Sequence, residues 1–136
     1  MKQDEIPTIM VVDDYDDNRL MMKLMLEMNG YRVVEAASGE QAIEVARLER
    51  LDLIFMDLCL SELDGLSAMR IIREHEGSKH VPFIVISGYD AAHFHAAALA
   101  AGCAEYVTKP VDFNYVESLL RRFCPVIQSS AAPLPV

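Results

Sequence analysis

The sequence predicts an α/β domain of the doubly wound kind, with five parallel strands in one sheet flanked by five helices. Three observations carry that reading. Short apolar runs alternate with segments of helical periodicity, and the runs are near-continuously hydrophobic, as strands covered on both faces must be. The runs stop abruptly at polar residues, Asp13, Asp57 and Ser87, with Lys109 just past the last of them. A length of 136 residues matches the roughly 150 residues of one compact domain, so no second output module is expected.

The first strand is Thr8 to Val12, apolar or β-branched throughout, with Asp13 and Asp14 in the turn that follows. A helix is predicted from Asp16 to Asn29. Its residues Leu20, Met21, Leu24, Met25 and Met28 recur at the spacing of one buried face, and Gly30 is placed to close it. Tyr31 to Glu35 is the second strand, and Ser38 with Gln41 three residues later forms a capping box that opens a helix through Arg50. Asp52 to Met56 is the third strand. After a loop, Asp64 is available to cap a helix from Gly65 to Glu76 that carries Leu66, Met69 and Ile72 on one side. Pro82 to Ser87 is the fourth strand. Ala91 to Ala101 is alanine-rich and helical by propensity, ended by Gly102, and Ala104 to Thr108 is the fifth strand. Asp112 then caps a last helix on which Val116, Leu119, Leu120 and Phe123 fall at i, i+3, i+4 and i+7, with Pro125 beyond it. Residues 1–6 read as an extension, 7–124 as the domain, and 125–136 as a small-residue, proline-bearing tail.

Twelve Lys and Arg against 21 Asp and Glu leave a formal net charge of −9, the wrong sign for a face that grips phosphate backbones, so nucleic-acid binding is excluded. Cys59, Cys103 and Cys124 are odd in number and too far apart for a zinc or redox motif. They read as small buried hydrophobes in a reducing cytoplasm, with accessibility as the alternative for Cys59, which lies two residues past Asp57. The acidic N-terminus is no signal peptide, and no stretch reaches the ~18 apolar residues of a membrane span, so no membrane contact is expected.

In doubly wound sheets the ligand site lies beyond the carboxyl ends of the strands, where strand order reverses. Asp13, Asp14, Asp57, Ser87 and Lys109 all fall there. Three carboxylates repel one another unless a cation intervenes. Magnesium, which takes one or two carboxylates with waters and a phosphate oxygen, suits them better than a calcium cage, with manganese as a substitute. Lys109 supplies a compact positive charge for phosphoryl oxygens and Ser87 a hydrogen-bond donor, and both stabilise charge during phosphoryl transfer. One carboxylate is then the nucleophile, since carboxylates form aspartyl-phosphates. Taken singly these residues are bland: an acidic helix-capping loop, a surface lysine, a turn serine. Their weight comes from convergence on one sheet edge.

Together, the segments Val11-Val12-Asp13-Asp14, Leu53-Ile54-Phe55-Met56-Asp57, Ile86-Ser87-Gly88 and Tyr106-Val107-Thr108-Lys109-Pro110 resemble the motifs of the CheY-like response-regulator receiver domain of two-component signalling, over about residues 7–124. The resemblance implies a flavodoxin-like strand order, 2-1-3-4-5. It implies that Asp57 accepts a phosphoryl group, that Asp13, Asp14 and Asp57 hold the metal together with the main-chain carbonyl of Cys59, and that Ser87 and Lys109 bind the phosphoryl group. It further implies that Tyr106 is an aromatic switch, turning inward as Ser87 is drawn to the phosphoryl group and reshaping the surface of the last helices and fifth strand. The Lys109-Pro110 peptide is implied to be cis. The implied donor is a histidine kinase or a histidine phosphotransfer protein, and the output is a downstream protein or an onward relay. Homodimerisation on phosphorylation, through the fourth and fifth helices, is left open. Such a chain catalyses its own phosphorylation and dephosphorylation and is not an enzyme with a separate substrate. Leu60 and Ser61 depart from the Met and Pro more usual in the family. Cys59 and Tyr89 occupy the two variable positions that tune water access, and bulky Tyr89 is expected to lengthen the phosphorylated lifetime.

Two other readings stand beside this one. The chain is alternatively the receiver portion of a longer hybrid kinase or regulator. Magnesium-dependent phosphatases and phosphotransferases also use an Asp nucleophile, but they ordinarily carry a second acid where this chain has Cys59, and a cap for which no residues remain. Neither G-x-G-x-x-G nor G-x-x-x-x-G-K-[ST] is present, against nucleotide binding. The methionines of the first helix read as core packing. His75, His80, His93 and His95 make no metal pair, positions 93 and 95 lying on different helix faces.

Overall fold

β-Branched and aromatic residues concentrate in five segments, and these become the strands β1 (Thr8–Val12), β2 (Arg32–Ala36), β3 (Leu53–Asp57), β4 (Phe83–Ser87) and β5 (Glu105–Thr108). The structure, a computed structural model, describes residues 6–58, 64–88 and 92–126. The helices between the strands are α1 (Asp16–Met28), α2 (Gly39–Leu48), α3 (Gly65–Glu74), α4 (Ala92–Ala100) and α5 (Phe113–Phe123). All pairings are parallel and the order is β2-β1-β3-β4-β5, the doubly wound arrangement predicted, with strand order reversing at β1 and β3. Most of the predicted N-terminal extension and tail lies outside the described residues. Among the described residues no helix is long and apolar enough to cross a membrane.

Every residue of β1, β3 and β4 is buried, because helices cover both faces. The two-residue period of a strand divides them between two cores. Met10, Ile54, Met56, Phe83 and Val85 pack with Ala42 and Ala46 of α2, Met69 and Ile72 of α3 and Ala98 of α4. Ile9, Val11, Leu53, Phe55, Ile84 and Ile86 pack with Met22 and Leu26 of α1 and with Val116, Leu119 and Leu120 of α5.

The predicted caps form. Asp64 accepts the Ser67 N–H at 2.8 Å, Asp112 those of Asn114 at 2.9 Å and Tyr115 at 3.4 Å, and Ser38 Oγ that of Gln41 at 3.1 Å. The Gln41 side chain reaches back to the N–H of Ala37 rather than of Ser38. Gly102, at φ +103°, follows the end of α4 as predicted.

Several boundaries move by a residue or two for local reasons. Tyr31 is not in β2, because its N–H still serves α1, donating to Leu26 O at 3.1 Å. β3 begins after Asp52, whose carboxylate accepts the Thr8 N–H at 2.9 Å, and it includes Asp57. α2 stops at Leu48, where Glu49 turns extended, and α3 at Glu74, where the His75 N–H tightens onto Ile72 O at 3.1 Å.

α1 corrects the sequence reading. Leu20, Met21, Leu24 and Met28, expected as its buried face, are 48%, 55%, 48% and 86% exposed, while Met22 and Leu26 are buried and Met25 half-buried. Seven of the nine residues from 20 to 28 are Leu or Met, so apolar spacing defines no single face. Charged contacts accompany the observed rotation: Arg19 and Lys23 both turn toward Glu35 of β2, at 3.0 and 3.8 Å. The assignment of the α1 methionines to the core therefore holds for Met22 and not for Met21 or Met28. Cys103 and Cys124 are buried as expected, and burial pushes the Cys124 thiol up to about 11; Cys59 lies outside the described residues.

Candidate functional site

The carboxyl rim of the sheet gathers the predicted residues. Asp13 follows β1, Asp57 ends β3, Ser87 ends β4 and Lys109 follows β5. Parallel register brings them level, pairing Val12 with Met56, Asp57 with Ile86 and Ser87 with Thr108. Backbone hydrogen bonds then pin the rim: Asp13 N–H to Ala36 O at 3.1 Å, Leu58 N–H to Ile86 O at 3.3 Å, and Lys109 N–H to Ser87 O at 2.8 Å. The Lys109-Pro110 peptide is cis.

Gly65 completes the support. A Cβ there would lie 2.5 Å from the main-chain oxygen of Asp57 and 2.9 Å from Leu58 Cα, so only glycine lets α3 start directly against the chain leaving β3.

Asp57 is 4% exposed, and a charge at that depth needs a partner. Lys109 Nζ donates to its Oδ2 at 3.0 Å. Asp13 is buried too, with its Oδ1 accepting the Tyr15 N–H at 2.9 Å. Burial pushes the Asp13 carboxyl above the usual range, and nearby Asp57 and Asp14 push it the same way, while the Tyr15 N–H and Lys109 oppose them. One oxygen from each of Asp13, Asp14 and Asp57 falls within 4.8 Å of the others. Three hard oxygen donors crowded at a buried rim, one of them already resisting ionisation, fit a hard divalent cation such as magnesium or manganese. Ser87 is fully buried at the end of β4. Tyr106 is half-buried, its ring stacked on His95. Cys59 and Tyr89 lie outside the described residues.

Two features escaped the sequence reading. Arg19 braces the acidic loop, donating to Asp13 O at 2.7 Å, to Asp16 at 2.7 Å and to Glu35 at 3.0 Å. The available signal was a lone arginine three residues beyond Asp16 in a segment otherwise dense in acid. The second feature is an apolar cavity of about 290 Å³ beside the rim, lined by Met21, Met22, Phe55, Ile86, Val111 and Phe113 and reaching Asp13, Asp57 and Lys109.

Fold and rim together define the class of CheY-like α/β receivers. The chain belongs to the response regulator receiver domain family, whose sequence model matches residues 9–121. It is similar to the polar-differentiation response regulator DivK of Brucella ovis, 27% identical over 113 residues that span 82% of this chain and 92% of DivK. Among solved structures it resembles the receiver domain of the sensor histidine kinase PA1611 from Pseudomonas aeruginosa PAO1, which has a magnesium ion coordinated in its active-site cleft. That likeness has 35% identity and a TM-score of 0.80, covering 87% of this chain and 97% of the other. The chemotaxis protein CheY4 of Vibrio cholerae shares the fold, with a TM-score of 0.82 at 24% identity over 87% of this chain and 98% of CheY4.

Proposed function

We propose that this chain is a stand-alone response-regulator receiver that accepts a phosphoryl group onto Asp57 from the phosphohistidine of a histidine kinase or histidine phosphotransfer protein. The observation that carries the reading is the meeting, at one rim, of the Lys109 ammonium 3.0 Å from Asp57 Oδ2 with the Asp13, Asp14 and Asp57 carboxylates within 4.8 Å of one another. An Asp57 oxygen attacks phosphorus in line, the P–N bond to the donor imidazole breaks, and its electron pair stays on the imidazole nitrogen. Lys109, already beside the nucleophile, faces the phosphoryl oxygens as charge redistributes, and the Ser87 hydroxyl donates to another of them. Asp13, Asp14 and Asp57, with the main-chain carbonyl of Cys59, would hold magnesium or manganese, which when bound neutralises phosphoryl charge. Hydrolysis reverses the state: water attacks phosphorus, phosphate leaves, and the Asp57 carboxylate is restored. Cys59 and Tyr89 govern water access, and Tyr89 lengthens the phosphorylated lifetime. The chain performs these steps on itself and turns over no separate substrate beyond its donor.

Drawing Ser87 toward the phosphoryl group opens space into which Tyr106 rotates, and the surface of α4, β5 and α5 changes for a downstream protein. The protein works in the cytoplasm, where the buried thiols of Cys103 and Cys124 stay reduced. The match to 92% of DivK supports a stand-alone regulator. The likeness to a receiver domain of a sensor histidine kinase favours a second reading, in which the same chemistry is one relay step within a longer protein.

Intact mass after incubation with magnesium and a small phosphoryl donor tests the reading. A single adduct is expected in the parent and none in Asp57→Ala or in chelator. A folded parent that takes up no phosphoryl group points instead to an interaction domain that works without phosphorylation.

A further inference from the structure

Tyr106 pairs with Val85 of β4 and, unlike its neighbour Val107, is only half-buried. Its ring packs on the core shared by α2, α3 and α4, and it stacks on His95 of α4 with centroids 4.6 Å apart and planes at 19°. His95 is itself exposed. From His95 to Ala100 the helix is alanine apart from Leu99, which is 49% exposed. Along that stretch α4 therefore offers Tyr106 one flat surface, the imidazole.

We propose that His95 is a positioning residue for Tyr106: the near-parallel stack holds the ring where it stands and opposes its rotation. The inference rests on the reading of Tyr106 as the element that answers phosphorylation at Asp57. Rotation of a tyrosine about χ1 swings its ring by several ångströms and takes it out of the roughly 4.5–7 Å over which aromatic rings attract in these geometries. The stack is therefore made in the observed ring position and not in the rotated one, and a group that stabilises one of two states shifts the balance by its differential contribution. Phosphorylation must overcome that contribution. An imidazole exposed to water is a weaker clamp than a buried phenyl ring, so the clamp can release.

The test uses beryllofluoride with magnesium as a stable mimic of the aspartyl phosphate, titrated into the parent, His95→Ala and His95→Phe. Ring signals of labelled tyrosine report the response, with Tyr106 assigned through Tyr106→Phe. His95→Ala replaces an exposed residue of an alanine-rich helix and favours helix, so folding is retained. The mimic is expected to move the Tyr106 signals in the parent. In His95→Ala those signals are displaced toward the bound position before any mimic is added, and the mimic binds about two- to tenfold more tightly. His95→Phe, which keeps a flat ring, restores the parent's behaviour. An unchanged midpoint and unchanged Tyr106 signals in His95→Ala overturn the proposal, as does a His95→Phe variant that behaves like His95→Ala. A parent that binds the mimic without any Tyr106 response overturns it through the tyrosine, whereas a parent that does not bind the mimic places the failure at Asp57.

Discussion

Along β3 and β4, four apolar residues lead to a polar one: Leu53 to Met56 and then Asp57, Phe83 to Ile86 and then Ser87. All ten are buried, yet the two regions carry opposite energetic signs. In the body of the sheet burial removes apolar surface from water and stabilises the fold. At the rim burial strips water from charge: Asp57 retains its place through Lys109 at 3.0 Å, and the Asp13 carboxyl is pushed toward protonation. Stability and chemistry thus occupy successive stretches of the same strands. Burial in the body supplies the stability that offsets the buried Asp13 carboxyl at the rim.

The largest effect that sharpens this contrast is Asp57→Asn, expected to bring phosphoryl uptake below detection by intact mass while circular dichroism still shows a folded chain. A variant that loses its fold instead would erase the division between rim and body. Next comes Phe83→Ala in the body, expected to lower unfolding free energy by about 3–5 kcal/mol in denaturant titrations, as loss of a fully buried phenyl ring does. A loss under about 1 kcal/mol would break the comparison from the other side. Gly65→Ala sits where the two regions join: its Cβ meets Asp57 O at 2.5 Å, so overpacking costs about 1–3 kcal/mol and phosphoryl uptake slows.

Asp13→Asn gives the smallest change and the opposite sign. The folded Asp13 carboxyl titrates above its ordinary value of 3.8, chiefly through burial, so the folded state holds its proton more tightly than the unfolded one. Stability contributed by that proton is present below 3.8 and is lost as pH rises through the raised value. The variant carries no such loss. Its Tm is expected to exceed the parent's by a few degrees near neutral pH, with the gap closing on acidification below 3.8, and magnesium is expected to narrow the gap by stabilising the parent more. A gap that is absent at neutral pH would show that Asp13 is not opposing the fold.

The rim was readable in the sequence because a polar residue ending an apolar run is conspicuous, and parallel strands bring such endings together. α5 was readable for a related reason: Arg121, Arg122 and Glu117 interrupt its apolar residues, leaving Val116, Leu119 and Leu120 as the one stripe to bury. α1 was not, since leucine and methionine surround it. Its rotation is tied to partners far along the chain, Glu35 for Arg19 and Lys23. The same limit hides the cavity beside the rim, which Met21 and Met22 line only because α1 turns as it does. Contacts between rings on different elements, His95 and Tyr106 among them, leave no mark in local spacing at all.

The end of α5 is tied down at the far side of the molecule. The Tyr31 hydroxyl, whose burial pushes it up to about 12, donates to the carbonyl of Cys124, and a Cβ added at Gly30 would lie 3.8 Å from the Val126 methyls. With 11 residues, α5 carries the chain about 16 Å along its axis from Asp112, near the rim, to that tie. Pro7, whose carbonyl accepts the Arg32 N–H at 3.0 Å, enters the sheet on the same side. The described chain thus enters at Pro7 and leaves at Val126 on the side of the sheet opposite Asp57. A handle joined directly at Pro7 or Val126 would leave the rim carboxylates facing away from the surface to which the molecule is bound.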